Sequence, residues 1–165
     1  MIAKYQRELM LMLTMAVVCL GGCRSIAVKT NIVPVEVNIV GINKSQFPYW
    51  QGMSMAAYWE PENQDRKQAK KDGFLHEMRF SQSGSRELVL ARNDSIWKKW
   101  RKKKTDYLFI MAHLPPGTYK DQTGSADKRR LIIPYECWGR FQGRAEIIVD
   151  AGGISSASFK KCEFP

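Results

Sequence analysis

The chain has 165 residues and carries 26 Lys and Arg against 16 Asp and Glu, a net charge of +10 at pH 7, with two His and four Cys. That length suits one domain around a single core and argues against two. The cation excess narrows the partners to nucleic acid, an anionic lipid surface or an acidic protein, and two distant His with no Cys-x-x-Cys spacing supply no metal-ligand set.

The amino-terminal segment differs from the rest. Lys4 and Arg7 precede an apolar run from Leu9 to Leu20 that closes on Gly21, Gly22 and Cys23. About a dozen apolar residues are too few to cross a bilayer, which takes about 20, but they suit the h-region of an export signal. Leu20-Gly21-Gly22-Cys23 resembles the lipobox of bacterial lipoproteins. The resemblance implies a diacylglyceryl group on the Cys23 thiol, cleavage just before it and acylation of the new amino terminus. Arg24, where an Asp would retain a lipoprotein in the inner membrane, implies the periplasmic face of the outer membrane.

Residues 1–22 are therefore expected to be a signal peptide, 23–31 a lipidated tether and 32–165 the folded domain. Losing residues 1–22 removes Lys4, Arg7 and Glu8, which takes the 165 residues to 143 and the net charge from +10 to +9. A periplasmic address sets nucleic acid aside and leaves the membrane and a periplasmic protein as partners. Cys19 leaves with the signal and Cys23 takes the lipid, so Cys137 and Cys162 are expected to pair in an oxidising compartment. Closing that loop of about 26 residues would stabilise the fold by roughly 3.5 kcal/mol on the chain-entropy model.

Arg24 to Asn31 shows no clear period and reads as tether. Ile32 to Ile42 alternates Val33, Val35, Val37 and Ile39 with Pro34, Glu36 and Asn38, the period of a strand. Pro34, lacking an amide donor, places the strand's start or a sheet edge there. Asn43 to Gly52 is a loop by its Asn, Ser, Pro and Gly content, and its Phe47, Tyr49 and Trp50 can plug a core or anchor a partner. Both readings stay open in the sequence. Met53 to Trp59 is expected as a second strand, and the polar stretch Glu60 to Gly73 as an insertion able to hold a short helix.

Phe74 to Phe80 alternates again, with His76 as a half-buried strand residue rather than a ligand or base. Ser81 to Ser85 turns, and Arg86 to Arg92 returns as the second arm of a hairpin. At Asn93 to Arg101 the period changes: Asp94 or Ser95 can cap a short helix with Ile96, Trp97 and Trp100 on one face. Lys98, Lys99, Arg101, Lys102, Lys103 and Lys104 lie opposite and beyond. Such a run is a solvated face, or a docking surface for lipid headgroups or an acidic partner. Asp106 to Leu114 is apolar almost throughout and suits a central strand covered on both faces. Leu131 to Ile133, Arg144 to Val149 and Ile154 to Phe164 follow as strands, separated by the polar loop Thr118 to Arg130 and the Gly152-Gly153 turn.

Short strands with Gly and Pro turns, one short helix, an inserted polar loop and no strand-helix-strand units define an all-β fold, a two-sheet antiparallel sandwich. Catalytic patterns are missing: no Gly-x-Ser-x-Gly elbow, no phosphate-binding Gly-rich loop, no His-Glu-x-x-His and no dinucleotide fingerprint. Glu60 and Glu62 sit in a loop so charged that solvation accounts for them. A binding or scaffolding role is expected rather than an enzyme, with no cofactor and no metal.

The lipobox, the strand VEVNIVGI, an irregular loop, the stretch MSMAAYW, and LFIMAHLPPG followed by DKRRLIIP and Trp138 together look like the layout of the type VI secretion outer-membrane lipoproteins, the TssJ or SciN family. That resemblance implies a transthyretin-like sandwich. It also implies that a loop near the first strands meets the periplasmic part of the inner-membrane protein TssM. The matching loop is Asn43 to Gly52, which makes Phe47, Tyr49 and Trp50 the partner-binding residues. The alternative is a periplasmic immunity or inhibitor lipoprotein that blocks a toxin or hydrolase, with the positive domain suited to an acidic target.

Overall fold

The computed structural model describes residues 25–115, 120–137, 143–156 and 158. Among them, eight strands form two sheets: β1 (Ser25–Thr30), β2 (Val35–Ile42), β3 (Leu75–Phe80), β4 (Glu87–Leu90), β5 (Tyr107–Ala112), β6 (Arg130–Pro134), β7 (Arg144–Asp150) and β8 (Gly153–Ser155). The first sheet has the order β4-β1-β7-β8 and the second β3-β2-β5-β6. The pairing is antiparallel except between β1 and β7, which run parallel from Ser25 opposite Arg144 to Thr30 opposite Val149.

The core lies between the sheets. Ile26, Val28, Leu90, Ala145, Ile147 and Val149 project from the first sheet and meet Val37, Ile39, Met78, Phe80, Leu108, Ile110 and Ile133 of the second. Alternation sends every second residue of β2 into this core, yet Val40 and Ile42 on its other face are buried too. They belong to a second apolar layer. Three short helices lie over the outer face of the second sheet: α1 (Phe47–Gly52), α2 (Met55–Trp59) and α3 (Gln64–Lys71). They seat Trp50, Met55, Tyr58, Trp59 and Ala69 on Val40, Ile42, Phe109, Met111 and Ile132. This explains the unbroken apolar run of β5, which is covered by a sheet on one side and helices on the other.

A fourth helix, α4 (Ile96–Lys102), closes one end of the sandwich with Ile96, Trp97 and Trp100. The Trp100 indole is fully buried over Gly41, where a Cβ would overlap it, and its Nε1 donates to the Phe74 carbonyl at 2.8 Å. Trp97 packs edge-on against Trp100 with centroids 5.1 Å apart and donates from Nε1 to the Ala91 carbonyl at 2.8 Å.

Several expectations need correction. Residues 25–30 are not tether but the interior strand β1, held by β4 on one side and β7 on the other. Met53 to Trp59 is helical rather than extended, because Ser54 caps it, accepting from the Ala57 amide, and Met55, Tyr58 and Trp59 fall on one helical face. Asn43 to Gly52 is a 3-10 turn running into α1, so the described residues hold four α-helices in place of the single short helix expected. β3 and β4 form no hairpin: β3 pairs with β2 and β4 with β1, so the chain crosses between sheets at residues 81–86. The helix allowed in the polar insertion is α3, and β2, β3, β5, β6 and β7 lie where their patterns put them. Cys23, the segment before Ser25, Trp138 and Cys162 lie outside the described residues, and of the expected final strand from Ile154 to Phe164 the described part is extended only at Ile154 and Ser155, within Gly153–Ser155.

Candidate functional site

The first candidate surface is the segment of Phe47, Tyr49 and Trp50, which starts from a firm base. Asn43 and Gln46 form a reciprocal capping box over the 3-10 turn Lys44–Gln46, and Pro48 occupies the first turn of α1, where its missing amide costs nothing. Helical spacing then divides the three aromatics. Phe47 packs on Tyr107 and Phe109, with centroids at 4.4 Å and 5.8 Å. Trp50 is 6% exposed and wedges between Tyr58 and Phe109. Tyr49 is 60% exposed, and its hydroxyl donates to Asp65 at 2.7 Å. That hydrogen bond to a carboxylate raises the Tyr49 pKa from its ordinary value. The core-plug reading thus describes Phe47 and Trp50, and only Tyr49 presents its ring to solvent.

This surface is stiffened from below by Arg130, 3% exposed, whose fork satisfies three backbone carbonyls. Its Nη1 donates to Trp50 at 3.0 Å and Met53 at 2.9 Å, and its Nε and Nη2 donate to Gly124 at 2.9 Å and 2.6 Å. Burial lowers the Arg130 pKa, but the planar guanidinium keeps its charge and suits such a fork. Beside it, Asp121 and Asp127 both pair with Arg129. Burial pushes the Asp127 carboxyl up, yet bonds from the Arg129 guanidinium and from the backbone amides of Arg129 and Gln122 outweigh it and hold the pKa below the usual range. Asp121 also accepts from the Ala56 amide at 3.0 Å, tying residues 120–130 to the positive end of α2. The sequence marked Asp127 and Arg130 only as loop charges. Asp127 works through partners two to five residues away, whereas Arg130 depends on carbonyls up to 80 positions away that no local pattern announces.

The second surface is the basic run. Lys98, Lys99, Arg101, Lys102 and Lys104 are exposed on the polar side of α4 and the turn after it. Lys103 differs: it is partly buried, with its ammonium 3.8 Å from the Phe74 ring centroid, and burial lowers its pKa despite Asp72 nearby. Several carboxylates elsewhere on the surface are ion-paired. Glu62 pairs with Lys67, Glu77 with Lys70 and Arg79, Glu36 with Arg79, and Glu87 and Glu146 with Lys29. Among the described residues, none of the five exposed cations of the run is in such a pair.

His76 and His113 are packed against other side chains. His76 faces Ile39 across the β2–β3 ladder, and burial lowers its pKa. His113 stacks on Trp59 at 4.7 Å, with Arg66 lying over the same indole at 5.4 Å. Among the described residues no group of three His, Cys, Asp or Glu could hold a metal ion. Cys137 ends a 3-10 turn after β6 and packs against the core.

The described residues thus form a β-sandwich with a helical cover on one face, a basic helix at one end and, among them, one exposed aromatic. No protein-family model and no curated protein matches it. Among solved structures it is similar to Serratia marcescens Lip, described as a membrane bound component of the Type VI Secretion System. The identity is 12%, the match covers 81% of this chain and 96% of that one, and the TM-score is 0.41. A likeness of that degree carries no function across.

Proposed function

We propose that this chain is an outer-membrane lipoprotein whose sandwich is a docking subunit of a secretion membrane complex of the type VI kind. Its partner in this reading is the periplasmic part of an inner-membrane protein. The observation that carries the proposal is Leu20-Gly21-Gly22-Cys23, which resembles a lipobox and ends two residues ahead of the first strand. An anchored sandwich whose clustered chemistry is aromatic and cationic suits attachment better than turnover, so the role is not enzymatic. Tyr49, already turned to solvent, is the natural contact within the aromatic segment.

The test replaces Cys23 with Ser and Tyr49 with Ala, separately. Cys23→Ser is expected to lose labelled fatty acid and to leave the outer-membrane fraction; retained label and fractionation would overturn the anchor. Tyr49→Ala is expected to lose co-purified inner-membrane components at unchanged melting temperature, with a partner affinity at least tenfold weaker, as for an aromatic anchor. Recovery of a single secreted enzyme in place of those components would support the immunity reading.

A further inference from the structure

We propose that the basic end of the sandwich, the polar side of α4 with the turn after it, rests on the headgroups of an anionic phospholipid bilayer. The inference builds on the reading of Cys23 as the lipidated residue and adds how the domain stands on the membrane.

The path of the chain fixes which end meets the leaflet. Cys23 precedes Ser25 by two residues, a span of at most about 7 Å. Ser25 begins β1 opposite Arg144, and Ile26 lies opposite Leu90, the last residue of β4. The chain leaving β4 turns at once into α4, and Trp97 is tied back to the Ala91 carbonyl. Ile96, Trp97 and Trp100 are sunk in the core at this same end, so the opposite side of α4 faces away from the sandwich where the chain enters it. Lipid anchor and basic helix therefore share one pole.

Among the described residues, no cation of the run is neutralised by an ion pair, although Lys99 leans over Gly73. Among the described residues, three carboxylates near it are engaged within the chain: Asp94 accepts from the Ile96 amide at 2.8 Å, Asp106 from the Lys44 amide at 2.6 Å, and Asp72 from Gln68 at 2.8 Å. Some of the cations complement the carboxyl end of the α4 dipole. Lys98, Lys99, Arg101, Lys102 and Lys104 on a seven-residue helix and its turn exceed that need and repel one another unless an anionic surface meets them. Geometry selects the surface. A gap of about 7 Å is narrower than a single helix, about 10 Å across, so an interposed acidic protein does not fit while headgroups do. It also lies within the screening length of about 8 Å at physiological salt, where membrane charge is still felt. Acyl chains and a cationic patch are the two signals whose combination gives stable membrane attachment.

The test reconstitutes the intact purified lipoprotein into vesicles of phosphatidylcholine alone, or of phosphatidylcholine with about 30% phosphatidylglycerol. A water-soluble amine reagent then labels exposed lysines, and peptides are read by mass. In anionic vesicles, labelling of Lys98, Lys99, Lys102 and Lys104 is expected to fall about fivefold relative to neutral ones. That factor matches the attraction of about one charge near such a surface. Lys120 and Lys128, which precede β6 at the other end of the sandwich, should be unaffected, and about 0.5 M salt should restore the labelling. Lys98→Glu with Lys102→Glu should abolish protection of Lys99 and Lys104 at unchanged melting temperature. Equal labelling in both vesicles, with the amino-terminal peptide acylated, overturns the docking and leaves the anchor standing. Protection in native envelopes but not in protein-free anionic vesicles overturns it in favour of an acidic protein. An unacylated amino terminus with no vesicle association overturns both.

Discussion

Gly41 and Trp100 show how one missing Cβ sets the architecture. The indole lies directly on the Gly41 backbone, and α4 can close the sandwich only because nothing projects there. Gly41→Ala is expected to destabilise the fold by about 1 to 3 kcal/mol through overpacking, read as a lower urea midpoint at unchanged slope. His76 gives a pH-dependent counterpart. Burial holds its pKa below the unfolded value of about 6.5, with Asp94 and Glu77 pulling weakly the other way. Its contribution is therefore complete above about pH 6.5 and is lost as pH falls through that value toward the folded one, because the unfolded chain takes up the proton first. Urea titrations at pH 7.5 and 5 should show wild type losing stability that His76→Gln keeps. The lowered Asp121 and Asp127 carboxyls act in a separate window, below about pH 4.

The elements divide by how local their causes are. β2, β3 and β7 carry a period of two, and β5 carries the continuous run of a strand covered on both faces, so their placement was legible in the sequence. α2 was misread because its aromatics and apolar residues also suit a strand, although Ser54 followed by Met55, Tyr58 and Trp59 at helical spacing was the better signal. Ser54→Ala removes the bond to the Ala57 amide, so thermal unfolding should report a loss of about 1 kcal/mol. β1 is hard to read because Ile26, Ala27 and Val28 are buried in succession, which blurs the period of two. The crossing between β3 and β4 was illegible for another reason: a polar turn of five residues serves a hairpin or a crossover equally, and only the competition for core positions decides. The candidate site shows the same division. The aromatic segment and basic run were visible as composition, whereas the separation of Tyr49 from Phe47 and Trp50 arose from α1, and the Arg130 fork from contacts far apart in sequence.

At the scale of the molecule, the sandwich is closed along one flank, where the Ile154 amide at the start of β8 donates to the Lys128 carbonyl before β6 at 2.7 Å, and both sheets end in edge strands β3 and β4 on the other. A bond between Cys137 and Cys162 would fasten the carboxyl-terminal segment to the turn that follows β6. Peptide mapping under non-reducing conditions is expected to recover the two linked, and reduction should lower stability by roughly 3.5 kcal/mol. The interior position of β1 has a mechanical consequence. A pull arriving through the residues before Ser25 runs along the strand, while the hydrogen bonds to β4 and β7 lie across it. Both ladders are then loaded in shear, their bonds sharing the force together instead of parting one at a time as they would on an edge strand peeled from its end. A strand held in this way resists a pull along its own axis better than an edge strand would.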